Sequence, residues 1–154
     1  MHKHDYGFST ELKLIIETVR KFVRQEILPV EQNLDPDAIE FPADDVARLQ
    51  EKTRAMGMFQ PAVPEKYGGA GLDFFSNTVF MEELVQHRQG LYNCGGGAFG
   101  YAINPILYGG TEEQIEKYLI PQVRGKVRGC FAITEPSGGS DPARAIQTRA
   151  VKTD

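Results

Sequence analysis

The 154-residue chain has 41% hydrophobic and 25% charged residues, and its formal net charge is −4. A chain of this length can bury about two thirds of its unfolded surface, so the composition predicts one folded domain, or one domain and a piece of another. The acidic balance, without a run of Lys and Arg, argues against a nucleic-acid partner, because no surface would release counterions from a phosphate backbone.

The cysteines and the N-terminus argue against an exported or metal-binding protein. Cys94 and Cys130 lie far apart, with no CxxC pair and no His-rich neighbourhood, so neither a disulfide framework nor a metal site is expected. The first residues lack an apolar stretch, and they include Asp5 and Glu11 where a transit peptide avoids acids. We therefore expect a cytoplasmic protein without a membrane partner.

The first predicted element is an amphipathic helix that begins near Leu12. Its apolar residues recur at spacings of three and four, and charged residues lie between them. These apolar residues are Leu12, Ile15, Ile16, Val19, Phe22, Val23 and Ile27. Proline lacks the N–H that the interior of an α-helix requires, so the helix is expected to stop at Pro29.

A second helix is predicted to follow Pro42. Proline suits the first turn of a helix, and the negative charges of Asp44 and Asp45 suit the positive end of the helix dipole. The helix is expected to run to about Ala55, with Gly57 as its exit.

Asp73 or Ser76 is a candidate N-cap for a third helix, which is expected to end near Gly90. This helix looks more buried than the first two. The side chains that it carries include Val79, Phe80, Glu83, Leu84 and Val85.

Segment 92–108 is difficult to assign because it is rich in glycine. Gly95, Gly96, Gly97 and Gly100 each cost about 1 kcal/mol relative to Ala in a helix interior. Propensity alone therefore predicts a loop.

The firmest boundary in the sequence is a capping box at Thr111. Gln114 follows three residues later, so the side chain of each residue can accept a hydrogen bond from the backbone of the other. A helix is expected to begin here and to end before Pro121.

After Gly125 the hydrophobic period changes from about 3.6 to about 2, which predicts strands over residues 128–134 and 146–153. The fold class is therefore mainly α, with an all-helical N-terminal domain over residues 1–127. The first strands of an incomplete β domain follow over residues 128–154. Two strands are marginal alone and leave an unpaired edge, so we expect the chain to be a fragment, a truncated product or part of a longer polypeptide.

The segment Cys130–Pro142, CFAITEPSGGSDP, predicts a strand that opens into a loop of glycines and hydroxyl residues. Gly138 and Gly139 have no Cβ and can adopt positive φ, so successive amides can point at one anion. Ser137 and Ser140 would add hydroxyl donors. A phosphate or pyrophosphate is the expected ligand, and an ordinary surface turn, which uses the same residue types, is the alternative.

Three blocks of the sequence resemble the acyl-CoA dehydrogenase family, in the family's order and at about its spacing. The loop contains T-E-P-x-x-G-S-D, which resembles the family's flavin signature. Upstream, VPEKYGGAGLD (63–73) and YGGTEEQIEKYLIP (108–121) resemble two further family blocks. The resemblance runs from Phe8 to the last residue and corresponds to roughly the first third of a family member.

The resemblance implies flavin chemistry. Family members remove the α proton of an acyl thioester with a carboxylate base, while the β hydride passes to N5 of flavin adenine dinucleotide (FAD), which gives a 2-enoyl-CoA. The cofactor-binding residues of the family correspond here to Phe131, Ile133, Thr134, Gly139 and Ser140. Phe131 and Ile133 would lie near the flavin ring, and the Thr134 hydroxyl would point toward N5. Ser140 would serve the flavin pyrophosphate or the CoA thioester, with a turn-stabilising role as the alternative.

The resemblance also implies what the chain lacks. The family's catalytic base comes from a C-terminal helical domain, so no catalytic residue is expected in this chain, which alone should be inactive. Glu135 is instead expected to hold the loop in shape. The implied partners are an acyl-CoA substrate and an electron-transfer flavoprotein as electron acceptor, and the full-length protein is expected to be a homotetramer.

By the same resemblance, segment 92–108 is a helix that lines the acyl pocket, and we adopt this prediction over propensity. Pro105 would kink or shorten the helix. The residues near the acyl group would be Asn93, Cys94, Gly97 and Tyr101. The alternative role of the glycines is close helix packing.

Two other functions stay open. A related acyl-CoA oxidase or flavin monooxygenase would use the same fold with oxygen as the electron acceptor. A helical interaction module without chemistry would be colourless and would gain no thermal stability from FAD or CoA thioesters.

Overall fold

The computed structural model describes residues 7–88, 94–138 and 140–153, and it confirms a mainly helical chain. The α-helices of this part are α1 (Thr10–Phe22), α2 (Leu28–Gln32), α3 (Ala43–Ala55), α4 (Phe74–Leu84), α5 (Glu112–Gln114), α6 (Ile120–Val123) and α7 (Pro142–Ala145). Short 3₁₀ turns span Glu65–Tyr67, Cys94–Gly97 and Pro105–Gly109. Of the helices in the described ranges, none combines the length and the apolar character that crossing a membrane requires.

The prediction that the first helix stops at Pro29 is wrong, because a π-helical turn carries the helix past the proline. The turn spans Val23–Ile27 and joins α1 directly to α2. The amide of Leu28 donates to the carbonyl of Val23, five residues back, and this wider turn accommodates the ring that an α turn would exclude. A second π turn, Ile115–Leu119, joins α5 to α6 in the same way, so that helix passes Pro121 and ends at Val123.

The other predicted helix starts are confirmed. The second helix runs to Ala55 as expected. Asp73 caps α4, since its Oδ1 accepts hydrogen bonds from the backbone amides of the first turn, including that of Ser76 at 3.0 Å. The capping box is also present, because the Thr111 amide donates to Oε1 of Gln114 at 2.9 Å and the Gln114 amide donates to Oγ1 of Thr111 at 3.3 Å.

Helix α4 ends at Leu84, which is earlier than the predicted end near Gly90. Gly90 itself lies outside the described residues. Beyond α4 the chain turns toward α2. There, Oε2 of Glu31 accepts a hydrogen bond from the amide of Arg88 at 2.7 Å and lies 3.1 Å from Nδ1 of His87. These contacts tie the end of α4 to the end of the first helix.

The prediction of a helix over segment 92–108 is wrong for the part of that segment that the structure describes. Two 3₁₀ turns and extended backbone take its place. The glycines at positions 95, 96, 97 and 100 all have left-handed φ, between +63° and +93°. A right-handed α-helix cannot contain such residues, so the loop that propensity alone predicted is what forms.

The core lies between α1, the first π turn, α3, α4 and residues 98–99. Three aromatic rings meet at its centre, where Phe99 lies edge-to-face with Phe22 at 5.1 Å and with Phe80 at 5.0 Å between ring centroids. The buried hydroxyl of Thr53 donates to the carbonyl of Ala98 at 2.7 Å. The glycine-rich segment is therefore fixed against α3 as well as against the aromatic cluster.

A nearly buried ion pair joins α1 to α4. Nε and Nη2 of Arg20 donate to the two carboxylate oxygens of Glu83 at 2.9 and 2.7 Å. The Glu83 side chain is 2% exposed and that of Arg20 is 25% exposed. Hydrogen bonding to Glu83 raises the pKa of Arg20 above its ordinary value, against the opposing effect of burial. The pair is bidentate and fixes the register between the two helices.

The strands predicted over residues 128–134 and 146–153 do not form in the described part of the chain. The only β pairing there is an isolated antiparallel bridge between Glu135 and Gly138. A strand needs a neighbour that completes its hydrogen-bond ladder, and these extended residues have no such neighbour among those described. The short helix α7, Pro142–Ala145, lies between the two segments that were predicted as strands.

Candidate functional site

A largely apolar cavity of about 530 Å³ lies between α4, residues 60–63 and residues 99–108. This volume is within the range of small-molecule sites, which is roughly 300–1,000 Å³. The residues that line the cavity are Gln60, Pro61, Ala62, Val63, Asn77, Phe80, Met81, Leu84, Phe99, Gly100, Tyr101, Ala102, Ile103, Pro105 and Tyr108. Burial raises the pKa of the Tyr108 hydroxyl, and the neighbouring Tyr67 adds to this increase.

Gln60 holds the wall of the cavity that residues 99–101 form. Its backbone amide donates to the carbonyl of Phe99 at 2.9 Å, and its Nε2 donates to the carbonyl of Tyr101 at 3.2 Å. Gln60 is buried and has a positive φ of 54°, which is uncommon for a residue with a side chain. The carboxamide of Gln60 thus replaces regular secondary structure in fixing this segment.

The glycine-rich turn before the cavity is held by a buried histidine. The amide of Gly95 donates to Nε2 of His87 at 2.8 Å, so Nε2 must be the acceptor. Nδ1 of His87 then carries the proton and donates to Glu31. The missing side chain of Gly95 is also required, because a Cβ there would lie 2.8 Å from Cδ1 of Leu84, which lines the cavity.

Of the predicted acyl-contacting residues that the structure describes, Tyr101 reaches the cavity wall. Gly97 lies behind it, where a Cβ would be 2.9 Å from the Tyr101 ring, so its role here is close packing. Cys94 begins the 3₁₀ turn, and Asn93 lies outside the described residues.

Arg128 connects the cavity wall to the start of the flavin-signature segment. Its Nη2 donates to the hydroxyl of Tyr101 at 2.7 Å, and its Nη1 donates to Oε1 of Glu40 at 2.8 Å. The guanidinium carbon also lies 4.2 Å from the centre of the Tyr101 ring. Burial acts to lower the pKa of Arg128, but hydrogen bonds with Glu40 and Tyr101 outweigh it and raise this pKa above its ordinary value.

The residues predicted to bind flavin lie on the surface, away from the lining of the cavity. The side chain of Phe131 is 69% exposed, Ile133 is partly buried, and Thr134 and Ser140 are exposed. Gly139 lies outside the described residues. The hydroxyls of Thr134 and Ser140 make no hydrogen bond to the described part of the chain. Phe131, Thr134 and Ser140 thus leave an aromatic ring and two hydroxyl groups open to solvent.

Glu135 holds the turn that lies between Thr134 and Ser140, as predicted. Its Oε2 accepts from the amide of Gln147 at 2.8 Å, and its Oε1 accepts from the amide and the hydroxyl of Thr148 at 2.9 and 2.5 Å. The backbone bridge to Gly138 closes the same turn. These bonds use both carboxylate oxygens of Glu135, so its role in this structure is to organise the loop.

The turn at Glu135 is expected to open at acidic pH. Hydrogen bonds from the Thr148 hydroxyl, and then from the amides of Gln147 and Thr148, lower the pKa of Glu135. A lowered pKa in the folded state means that the stabilisation is complete above the ordinary pKa and is lost as the pH falls through the lowered value. The amide proton shifts of Gln147 and Thr148 should therefore move together in an NMR titration toward acid. Glu135→Gln should abolish this dependence, and identical titrations for the two proteins would contradict the assignment.

Three residues that shape this site were not predicted from the sequence: Gln60, Asn77 and His87. Gln60 and His87 act through contacts with residues distant in the sequence, so no local motif marks them. Asn77 carries the one available signal, since it is a polar residue within a helix that otherwise looks buried.

The sequence of the chain matches a known protein family. The family described as "Acyl-CoA dehydrogenase, N-terminal domain" matches residues 9–126. The 3-(aryl)acrylate reductase of Clostridium sporogenes is 38% identical over 93% of the chain and 36% of its own length. A subunit of the caffeyl-CoA reductase–Etf complex of Acetobacterium woodii is 36% identical over 94% of the chain and 37% of its own length.

A solved structure agrees with these sequence matches. The crystal structure of an acyl-CoA dehydrogenase from Geobacillus kaustophilus superposes with a TM-score of 0.66 at 31% identity, over 91% of the chain and 35% of that protein. The chain thus spans about a third of the length of the proteins it matches. Because the family match covers all of α1 to α6 and the cavity between them, the chain belongs to the acyl-CoA dehydrogenase N-terminal domain family.

Proposed function

We propose that the chain forms one wall of an acyl-group pocket in an FAD-dependent oxidoreductase that acts on acyl-CoA thioesters. The observation that carries this proposal is the apolar cavity of about 530 Å³ within the part of the chain that matches the family. The wider activity depends on residues beyond this third of the relatives' length, so the chain's contribution is substrate binding and positioning.

The cavity suits an acyl group because it removes apolar surface from water. Burial is favourable by about 25 cal/mol for each Å² of apolar surface, which gives the acyl tail affinity without requiring charged contacts. Phe80 and Phe99 are lining residues that are almost fully buried and lie edge-to-face, so this part of the wall is rigid. A rigid wall orients the α and β carbons of the acyl group, which is how the protein contributes to a hydride transfer.

The flavin segment would supply the second contact surface. Phe131 and Ile133 would pack against the flavin ring, Thr134 would donate its hydroxyl, and Gly139 and Ser140 would offer amide and hydroxyl donors to the pyrophosphate. FAD, when bound, supplies the two-electron acceptor for the hydride that leaves the acyl β carbon. Arg128, two residues before this segment, donates to the Tyr101 hydroxyl and so links the start of the segment to the cavity wall.

The remaining features of the proposal concern the whole protein. The catalytic base would lie outside the chain, an electron-transfer flavoprotein would accept the electrons, and the protein would be a cytoplasmic homotetramer. The division between a helical domain over residues 1–127 and a β domain from residue 128 likewise stays a prediction. The reverse reaction, reduction of a 2-enoyl thioester, is the second candidate, because two of the relatives reported above are named as reductases.

A chimera tests the proposal. The chain would replace the matching third of the Geobacillus kaustophilus acyl-CoA dehydrogenase, and the purified chimera should be yellow and should bleach without oxygen when an acyl-CoA is added. An acyl-CoA oxidase would react with oxygen instead, and a helical interaction module would give a colourless product. A yellow chimera that no acyl-CoA bleaches, with 2-enoyl-CoA also unreactive toward the reduced chimera, would contradict the proposal.

Filling the cavity should block the acyl group specifically. Ala102→Trp in the chimera should slow bleaching by about tenfold or more, because the indole occupies the space of the acyl tail. The yellow colour should be retained, since Ala102 is not in the flavin segment. Ala55→Trp, at an exposed alanine outside the cavity, is the matched control and should leave bleaching unchanged. Equal rates for the two variants would show that the acyl group binds elsewhere.

A further inference from the structure

The buried imidazole of His87 accepts a hydrogen bond that only its neutral form can accept. The His87 side chain is 3% exposed. Its Nε2 accepts the Gly95 amide at 2.8 Å, and its Nδ1 lies 3.1 Å from Oε2 of Glu31. A protonated imidazole carries a hydrogen on both nitrogens and has no acceptor left. Protonation of His87 would therefore place two N–H donors against each other at Gly95.

The two sides of the ring respond differently to that proton. The Glu31 carboxylate accepts from Nδ1 and from the Arg88 amide, and it can keep both bonds while it attracts a cationic ring. The Gly95 amide donates to no other atom of the described residues. The contact that protonation breaks is thus the one between His87 and Gly95.

The other charged groups near the ring have partners of their own. The Arg88 guanidinium donates to backbone carbonyls within residues 35–38. On α4, Glu83 is paired with α1 through Arg20. Residues 95–97 are all glycine and carry no charge. Within the described residues, Glu31 is therefore the charged side chain that pairs with this imidazole.

The turn that His87 holds, Cys94–Gly97, supports one side of the cavity wall. A Cβ at Gly95 would lie 2.8 Å from Cδ1 of Leu84, so the backbone packs directly against a side chain that lines the cavity. The far end of the turn is fixed to α3, because Nε2 of Gln50 donates to the carbonyl of Gly97 at 3.0 Å. The end that His87 releases is thus the end that supports Leu84.

We propose that His87 is a positioning residue for the acyl cavity and that its protonation releases the glycine turn. The inference rests on the proposed function, because it describes the regulation of that same site. The hydrogen bond to Gly95 is complete above the pH at which His87 gains its proton and is lost below it. Acyl groups should therefore bind at neutral pH and bind less tightly as the pH falls.

NMR of the chain measures the proton and the turn together. The imidazole ¹⁵N shifts should show His87 protonated on Nδ1 alone at about pH 8 and on both nitrogens at about pH 5, the range in which histidine changes its charge. The Gly95 amide proton should shift upfield with the same midpoint, because it loses its acceptor. An imidazole that stays neutral to about pH 5, or a Gly95 amide that does not follow it, would overturn the proposal.

A binding measurement connects the turn to the cavity. The chain would be titrated with the N-acetylcysteamine thioester of octanoate at the same two pH values. This thioester carries an acyl group without the phosphates of CoA, one of which titrates in this range. The affinity should be about 3- to 10-fold lower at the acidic pH, as expected for the loss of one hydrogen bond.

Variants of His87 assign the pH dependence to this residue. His87→Gln supplies an amide oxygen that can accept from Gly95 and takes up no proton, so its affinity should be the same at both pH values. His87→Phe offers no acceptor and should bind the thioester weakly at both. His4→Gln removes another histidine of the chain and should leave the pH dependence unchanged.

The outcomes separate the inference from the function on which it rests. Equal affinities of the unmodified chain at the two pH values would overturn the regulation and leave the acyl cavity standing. An equal loss of affinity in His87→Gln would overturn the role of His87. No binding of the thioester at about pH 8 would overturn the acyl cavity, whereas the NMR titration would still decide whether His87 releases the glycine turn.

Discussion

Replacing Arg20 by Met is expected to lower the free energy of unfolding by about 3 kcal/mol. The substitution leaves the carboxylate of Glu83 buried without its bidentate partner, and removal of one member of a buried pair costs about 3–5 kcal/mol. The lower end applies because a quarter of the Arg20 side chain reaches solvent. Chemical denaturation of the two proteins measures the difference.

A matched control and a double variant test the cause of this loss. Arg48→Met removes a pair with Glu26 that is largely exposed, so it should cost less than about 1 kcal/mol. Arg20→Met combined with Glu83→Leu leaves no buried charge and should recover most of the loss. Equal losses for Arg20→Met and Arg48→Met would contradict the assignment of the Arg20–Glu83 pair as buried.

The second large effect is expected at Gly96. A Cβ at this position would overlap Cδ2 and Cε2 of the buried Phe41, and the backbone has a left-handed φ of +63°. Gly96→Ala should therefore combine a conformational cost of about 1–2 kcal/mol with an overpacking cost of about 1–3 kcal/mol. The total loss of unfolding free energy, again from chemical denaturation, should be about 2–5 kcal/mol.

Gly57 provides the control, because it shares the backbone strain without the steric contact. Its φ is +67°, and nothing lies within 4 Å of the position that a Cβ would take. Gly57→Ala should cost only the conformational part, about 1–2 kcal/mol. Trimming the ring with Phe41→Leu should make Gly96→Ala less costly, which a double-mutant cycle detects. If Gly96→Ala and Gly57→Ala lower the free energy of unfolding equally, Phe41 does not pack against the glycine turn.

The helices could be predicted because their signals are local. The capping box at Thr111 and the cap at Asp73 each depend on residues within one turn, and both are confirmed. The continuation of helices past Pro29 and Pro121 could not be predicted in this way. A π turn shifts the hydrogen-bond register by one residue, and no residue type in Val23–Ile27 marks that shift.

The candidate site was only partly predictable for a related reason. Tyr101 was identified from the family resemblance, and the structure places it in the cavity wall. The glycine-rich segment was assigned as a helix from the same resemblance, although glycine propensity indicated a loop. Glu83 could have been recognised as buried, because it follows Val79 and Phe80 at helical spacing on the apolar side of α4. Its partner Arg20 is 63 residues away, which no local pattern can reveal.

The π turn at Val23–Ile27 also changes which residues of the first helix share an azimuth about its axis. One additional residue in a turn sets every later residue back by about 100° about the axis, relative to an unbroken α-helix of the same sequence. Glu31 lies after that offset, and its carboxylate contacts His87 and Arg88. In an uninterrupted helix it would face about a quarter of a revolution away, and the imidazole that fixes the glycine turn would lose its anchor. The angular offset of one helix thus determines how the glycine turn that precedes the cavity wall is held.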